Sequence, residues 1–78
     1  MEPRVLQVQP LDNFLLYLTF SNQEKKIFDV KPYLNKGIFR TLNDLSVFNS
    51  VKVMNGTIVW MSDIDLCPDT LYLESKHL

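Results

Sequence analysis

Val51-Lys52-Val53-Met54-Asn55-Gly56-Thr57-Ile58-Val59-Trp60 is the stretch that decides the fold class of this chain. Asn55-Gly56 supplies both left-handed positions of a type I′ turn, the two-residue connection whose twist matches the strands it joins. The turn pairs Met54 with Thr57. Val53 then opposes Ile58 and Val51 opposes Trp60 on one apolar face, while Lys52 and Val59 point the other way.

Toward the N-terminus, Phe14-Leu15-Leu16-Tyr17-Leu18-Thr19-Phe20 reads as the strongest strand. Phe14, Leu16, Leu18 and Phe20 share one face, and Leu15, Tyr17 and Thr19 the other. Apolar groups on both faces predict a central strand with material packed on each side. Asp12-Asn13 turns the chain into it. A first strand over Val5–Gln9 precedes that turn and is ended by Pro10, which has no N–H to give a ladder. Asn22-Gln23 stands where a two-residue hairpin loop belongs, which predicts Leu18 opposite Ile27 and Tyr17 opposite Phe28. Gln23 occupies a position that favours glycine because φ is positive there. Lys25 and Lys26 are expected to blunt an exposed edge or strand end.

Between the hairpins the pattern turns helical. Asp29 suits an N-cap and Pro32 the first turn of a helix through Tyr33 and Leu34, with Gly37 as its C-terminal stop. Ile38, Leu42 and Leu45 recur at helical spacing, Phe39 and Phe48 add bulk, and Asn43 or Asp44 can cap a further short turn. After the second hairpin, Cys67-Pro68-Asp69-Thr70 opens a helical turn carrying Leu71 and Tyr72. The expected fold is α+β: a small antiparallel sheet of short strands (two hairpins plus an N-terminal strand) with short helices packed on it, as one domain over residues 1–78.

Composition bounds the function. The chain has 78 residues, 46% hydrophobic, with nine acids against eight bases and a formal net charge of −1. Gross charge therefore calls for neither direct nucleic-acid binding nor an anionic membrane. Two glycines and four prolines exclude a flexible linker or a collagen-like chain. One cysteine, Cys67, rules out an internal disulfide, which small secreted domains usually need. The N-terminal residues show no basic region followed by an apolar one, and the longest apolar stretch, Phe14 to Leu18, is too short to span a bilayer. The expected compartment is the cytoplasm.

Several constellations invite chemistry. Asp63, Asp65, Cys67, Asp69 and Glu74 echo the ligand spacing of a calcium-binding EF-hand loop, but Cys67 stands where an oxygen ligand is needed and Pro68 where glycine must turn. His77, penultimate and expected to fray, makes no zinc set with the single distant Cys67. The serines lack any nucleophile motif, and Gly37 and Gly56 are isolated, so no phosphate-binding loop is present. No catalytic residue, metal or cofactor is expected. Trp60 fits the core face of its hairpin better than a binding site. An alternative groups Trp60, Asp65 and Tyr72 as a small-ligand pocket. Charge segregates along the chain: residues 25–52 hold six bases against two acids, residues 53–74 four acids and no base. Lys25, Lys26, Lys31, Lys36 and Arg40 are thus candidates for a protein-partner surface, with Asp63, Asp65 and Asp69 shaping another.

The order of landmarks resembles a known family. Val5-x-x-Val8-x-Pro10, Leu16-x-Leu18-x-Phe20, Phe28-Asp29-Val30-x-Pro32-Tyr33-Leu34, Gly37-x-Phe39-x-x-Leu42, Phe48, Gly56-Thr57-Ile58-x-Trp60 and Asp65-x-x-Pro68-Asp69-x-Leu71-Tyr72 are similar to the small prokaryotic and phage family called domain of unknown function 2442. The resemblance implies a compact α+β domain, with a helix-turn-helix domain appended in longer members. It also implies, for some members, an antitoxin that binds a small toxin encoded beside it, and for others a ligand-binding role. No catalytic residues come with it. Gln23 departs from the family's usual glycine. The reading that results is a non-catalytic cytoplasmic interaction module, with a homodimer through unpaired strand edges also open.

Overall fold

The computed structural model describes residues 3–77, apart from the side chain of Ser62. Strands β1 (Val5–Leu11), β2 (Leu15–Phe20) and β3 (Lys25–Asp29) come first. Two 3-10 segments, Lys31–Tyr33 and Gly37–Asn43, and helix α1 (Leu45–Phe48) follow. Then come β4 (Lys52–Met54), β5 (Thr57–Trp60), β6 (Ile64–Leu66), helix α2 (Pro68–Glu74) and β7 (Lys76–His77). The strands form two antiparallel sheets, ordered β1-β2-β3-β7 and β4-β5-β6.

The Asn55-Gly56 hairpin forms in the predicted register, with Met54 opposite Thr57 and Val53 opposite Ile58. Asn55 (φ 54°) and Gly56 (φ 80°) hold the two left-handed positions that the type I′ turn requires. The first hairpin differs from expectation by one residue. Phe20 C=O accepts from Gln23 N (2.9 Å) and Phe20 N donates to Glu24 O (2.9 Å), so the loop has three residues, Ser21-Asn22-Gln23. Gln23, at φ 73°, takes the left-handed place of a type I turn with a bulge. Leu18 therefore faces Lys26, and Tyr17 faces Ile27. Shifting a register by one residue exchanges the faces of a strand, so Lys26 points inward and Ile27 outward.

Pro10 does not end β1; it pairs with Leu16 inside it. The strand tolerates proline because it lies at the edge of its sheet, where no ladder hydrogen bond is lost on the open side. Gly37 (φ 49°) opens the second 3-10 segment instead of stopping a helix before it. Ile38, expected inward by helical spacing, is exposed, because a 3-10 segment advances side chains three to the turn and sets buried Leu42 in line with half-buried Phe39 instead. Leu45, also expected inward, opens α1 and is exposed, while Val47 and Phe48 are the residues that this helix buries. Asp44 caps α1 as read, accepting from Ser46 N at 2.9 Å. Two further strands, β6 and β7, carry no periodic signal in the sequence. β6 is three residues long, and β7 places His77 opposite Lys26, so His77 is paired and not frayed.

The inner faces of the two sheets enclose one core. Val5, Leu16, Leu18, Phe20 and Phe28 meet Ile58, Trp60, Ile64 and Leu66, with Leu42, Phe48 and Leu71 sealing the gaps. Trp60 is buried, and its indole N–H donates to Phe48 O at 3.0 Å, so its polar atom is satisfied inside the core. Val5 N donates to Gly56 O (2.8 Å) and Arg4 Nη2 to Asn55 O (2.8 Å), joining the start of β1 to the second hairpin.

These corners set stabilities. A Cβ on Gly56 would sit 2.4 Å from Arg4 Nε and require a left-handed alanine. Gly56→Ala is expected to cost about 1–2 kcal/mol. Gln23→Gly removes a similar backbone penalty while loosening the unfolded chain, for a net gain of roughly 0.5 kcal/mol. Urea midpoints moving in opposite directions for the two variants, with unchanged slopes, are the expected result.

Candidate interaction surface

A buried lysine, Lys26, organises the end of the molecule where α2 meets the first sheet. Lys26 is 5% exposed, its ammonium donating to Tyr72 O (2.7 Å) and lying 4.0 Å from the centre of the Tyr72 ring. Tyr72 packs edge-on against Phe20, with centroids 5.1 Å apart, and its hydroxyl donates a short hydrogen bond to Glu24. Glu24 also accepts from the Asn22 side chain (2.8 Å) and lies 3.4 Å from His77 Nε2. The Tyr72 and Asn22 donors, with His77 and Lys26 nearby, hold the Glu24 carboxyl below its ordinary range. This cluster clamps α2 and β7 to β3, and it removes Lys26 from the group of partner-facing bases.

The remaining bases of that group do not share one patch. Lys25 stands on the outer face of β3 at its hairpin end, opposite Thr19. Lys31 follows the far end of β3, about 13 Å of strand away, where its ammonium bonds Asp29 (3.1 Å) and Asn13 O (3.0 Å). Lys36 lies 5.8 Å from the centre of the Tyr33 ring, and Arg40 is exposed on the second 3-10 segment.

Trp60, Asp65 and Tyr72 do not converge either. Asp65 pairs with Val59 and so points away from the core that holds Trp60. Tyr72 is turned toward Phe20 and Glu24. Asp63 (φ 61°) serves the β5–β6 corner, and Asp69 lies in the first turn of α2, next to Pro68 at its start. Cys67 is exposed at the N-cap of that helix, whereas His77 lies against Glu24. Among the described residues, no group of three or more His, Cys, Asp or Glu is placed to hold a metal ion.

The surface that sequence reasoning missed is the outer face of the four-stranded sheet. Register places Leu11 beside Leu15, and Gln9, Tyr17, Ile27 and Lys76 in one row across four strands. Gln7, Thr19 and Lys25 form the next row. Leu11, Leu15, Tyr17 and Ile27 are half-buried and lie outside the core. The ring contacts that bring helical segments to this sheet, Tyr72 on Phe20, Tyr33 on Phe28 and Phe48 against Phe14, all reach its other side. Alternation in β2 showed apolar residues on both faces; the expectation that something covers each side holds for the inner face only. The slipped hairpin register hid Ile27 from view.

Residues 5–77 match the family described as protein of unknown function (DUF2442). The chain belongs to that family. No curated protein and no solved structure matches it. The family landmarks in this DUF2442 chain hold its corners together. Asp29 Oδ1 accepts from Lys31 N (2.9 Å) at the start of the first 3-10 segment. Tyr33 donates to Glu74 at 2.6 Å, joining that segment to α2. Burial and the Glu74 carboxylate together push the Tyr33 phenol up to about 12. Among the described residues, no helix is long and apolar enough to cross a membrane.

Lys26 and Lys25 are expected to behave oppositely although they are adjacent. Lys26→Glu places a buried carboxylate near Glu24 and should cost more than about 3 kcal/mol. Lys26→Met keeps the packed stem and should cost roughly 1–2 kcal/mol, while Lys25→Glu should stay within about 0.5 kcal/mol. Equal urea midpoints for Lys25→Glu and Lys26→Glu would refute the inward lysine.

The Glu24 hydrogen bond gives a pH signature. A carboxyl depressed in the fold stabilises it above the ordinary value of 4.5, and that stabilisation is lost as pH falls through the folded-state value. Tyr72→Phe removes the main donor. Its urea midpoint should lie below that of the wild type at neutral pH, with the gap closing under acid; a gap independent of pH would sever the hydroxyl from the carboxylate.

Proposed function

We propose that this chain is a non-catalytic, cytoplasmic protein-interaction module, and in its most concrete form the antitoxin of a toxin–antitoxin pair. The observation that carries the interaction reading is the open outer face of the four-stranded sheet, where Leu11, Leu15, Tyr17 and Ile27 stay outside the core. A sheet normally buries one face and solvates the other with polar side chains. Four apolar side chains on the solvated side raise the cost of leaving that face bare, and a covering partner removes it. The antitoxin form rests on the family resemblance, in which some members neutralise a toxin encoded beside them.

Co-expression of the tagged chain with the product of the adjacent gene tests the proposal. A stoichiometric complex, with the neighbour toxic when produced alone and harmless beside this chain, is the expected outcome. A harmless neighbour that fails to co-purify would end the antitoxin form.

A further inference from the structure

We infer that the partner of this module is an acidic protein segment with apolar anchors, and that it docks on the outer face of β1, β2, β3 and β7 beside β4. The inference rests on the module reading and adds to it a location and a chemistry.

The pleat lays out the surface. Tyr17 and Ile27 occupy its centre, with Leu15 and Leu11 on one side and the Gln7-Thr19-Lys25 row on the other. Lys76 ends the central row. Beside β1 the surface dips into a cleft of about 500 Å³ where the β4 segment approaches, lined by Gln7, Gln9, Tyr17, Thr19, Val51 and Lys52. A recess of this size accepts side chains from a partner, with glutamine and threonine groups at its wall to fix their orientation.

Charge selects the partner. Lys25, Lys52 and Lys76 are exposed around the apolar centre. Of the acids on these outward faces, Asp29 is already bonded to Lys31, and Asp65 lies two strands beyond Lys52 in the row Lys52-Val59-Asp65, at the far side of β5 from the apolar centre. The local balance is basic in a chain whose formal net charge is −1, so the face differs from the rest of the molecule in sign. Complementary charge steers encounter and fixes register, while apolar anchors at the centre supply most of the affinity. A second copy of this chain is the poorer occupant. It would bring three more lysines to the contact, and its own Asp29 is engaged by Lys31.

The test is selection of a random-peptide phage library against the immobilised domain, followed by titration of the winning peptides. Peptides rich in Asp and Glu with interspersed apolar residues are expected, their binding weakening with salt. Lys25→Glu with Lys76→Glu should weaken them about tenfold or more, and Tyr17→Ser about tenfold. Lys36→Glu with Arg40→Glu, away from this face, should leave affinity within about twofold. Urea midpoints of each variant confirm that the fold is intact. Selection of neutral or basic peptides, no enrichment at all, indifference to Lys25, Tyr17 and Lys76, or preference for a DNA duplex would overturn the inference. So would a dimer of the isolated domain that dissociates on Tyr17→Ser, which would give the face to a second copy. A neighbour that co-purifies without regard to these three residues would leave the module reading standing and remove this face from it.

Discussion

Gln23 holds a left-handed backbone, and the two-sided character of the first sheet follows from it. With three residues in its loop, the hairpin sets Lys26 against Leu18 and Ile27 against Tyr17. A loop shorter by one residue would exchange those faces, exposing Lys26 and burying Ile27. The ammonium inside is tolerated because Tyr72 offers it both a carbonyl oxygen and the face of a ring. The same geometry is what brings α2 onto β3. A backbone dihedral at one exposed residue thus settles where the C-terminal helix docks and which apolar side chains remain outside.

Left-handed corners recur through the molecule. Asn13 and Phe14 join β1 to β2, Asn55 and Gly56 join β4 to β5, and Asp63 leads from β5 to β6. Connections this tight between antiparallel strands leave few conformations open, so each corner fixes a register. Fixed registers let even short strands serve the core: three-residue β6 buries both Ile64 and Leu66, and six-residue β2 buries Leu16, Leu18 and Phe20. The core gains its polar closure from the indole of Trp60, which takes up a carbonyl at the end of α1 that the helix cannot satisfy itself. Among the described residues no buried side-chain nitrogen or oxygen lacks a hydrogen-bond partner.

Much of this was legible in the residues. Asn55-Gly56 specified its hairpin to the residue pair because both positions of its turn have a known preference, and alternation in β2 specified its inner face. Landmark order pointed to the family that residues 5–77 match. What escaped had weaker local signals. Gln23 is a poor left-handed residue, so nothing near it announced a three-residue loop. Ile64-Asp65-Leu66 is too short for periodicity to register. Lys76-His77 has no apolar residue, and its strand exists because β3 offers an edge and α2 delivers the chain to it. Segments 31–33 and 37–43 showed helical spacing, yet they wind as 3-10 turns that bury Leu42 while leaving Ile38 in solvent.

Charge segregation along the sequence proved a poor guide to charge in space. Five bases between residues 25 and 40 looked like one surface, but β3 separates Lys25 from Lys31 by its own length, and Lys26 is inside. Folding instead gathers Lys25, Lys52 and Lys76, which lie far apart in the chain, around apolar residues that the core does not claim. Strand pairing does this, since residues opposite one another in a ladder share a face whatever their separation in sequence. Rows read from register are therefore the proper unit for a surface on a sheet protein. By that measure the outer face of the four-stranded sheet, apolar at its centre and basic at its margin, is where the function of this fold should be sought.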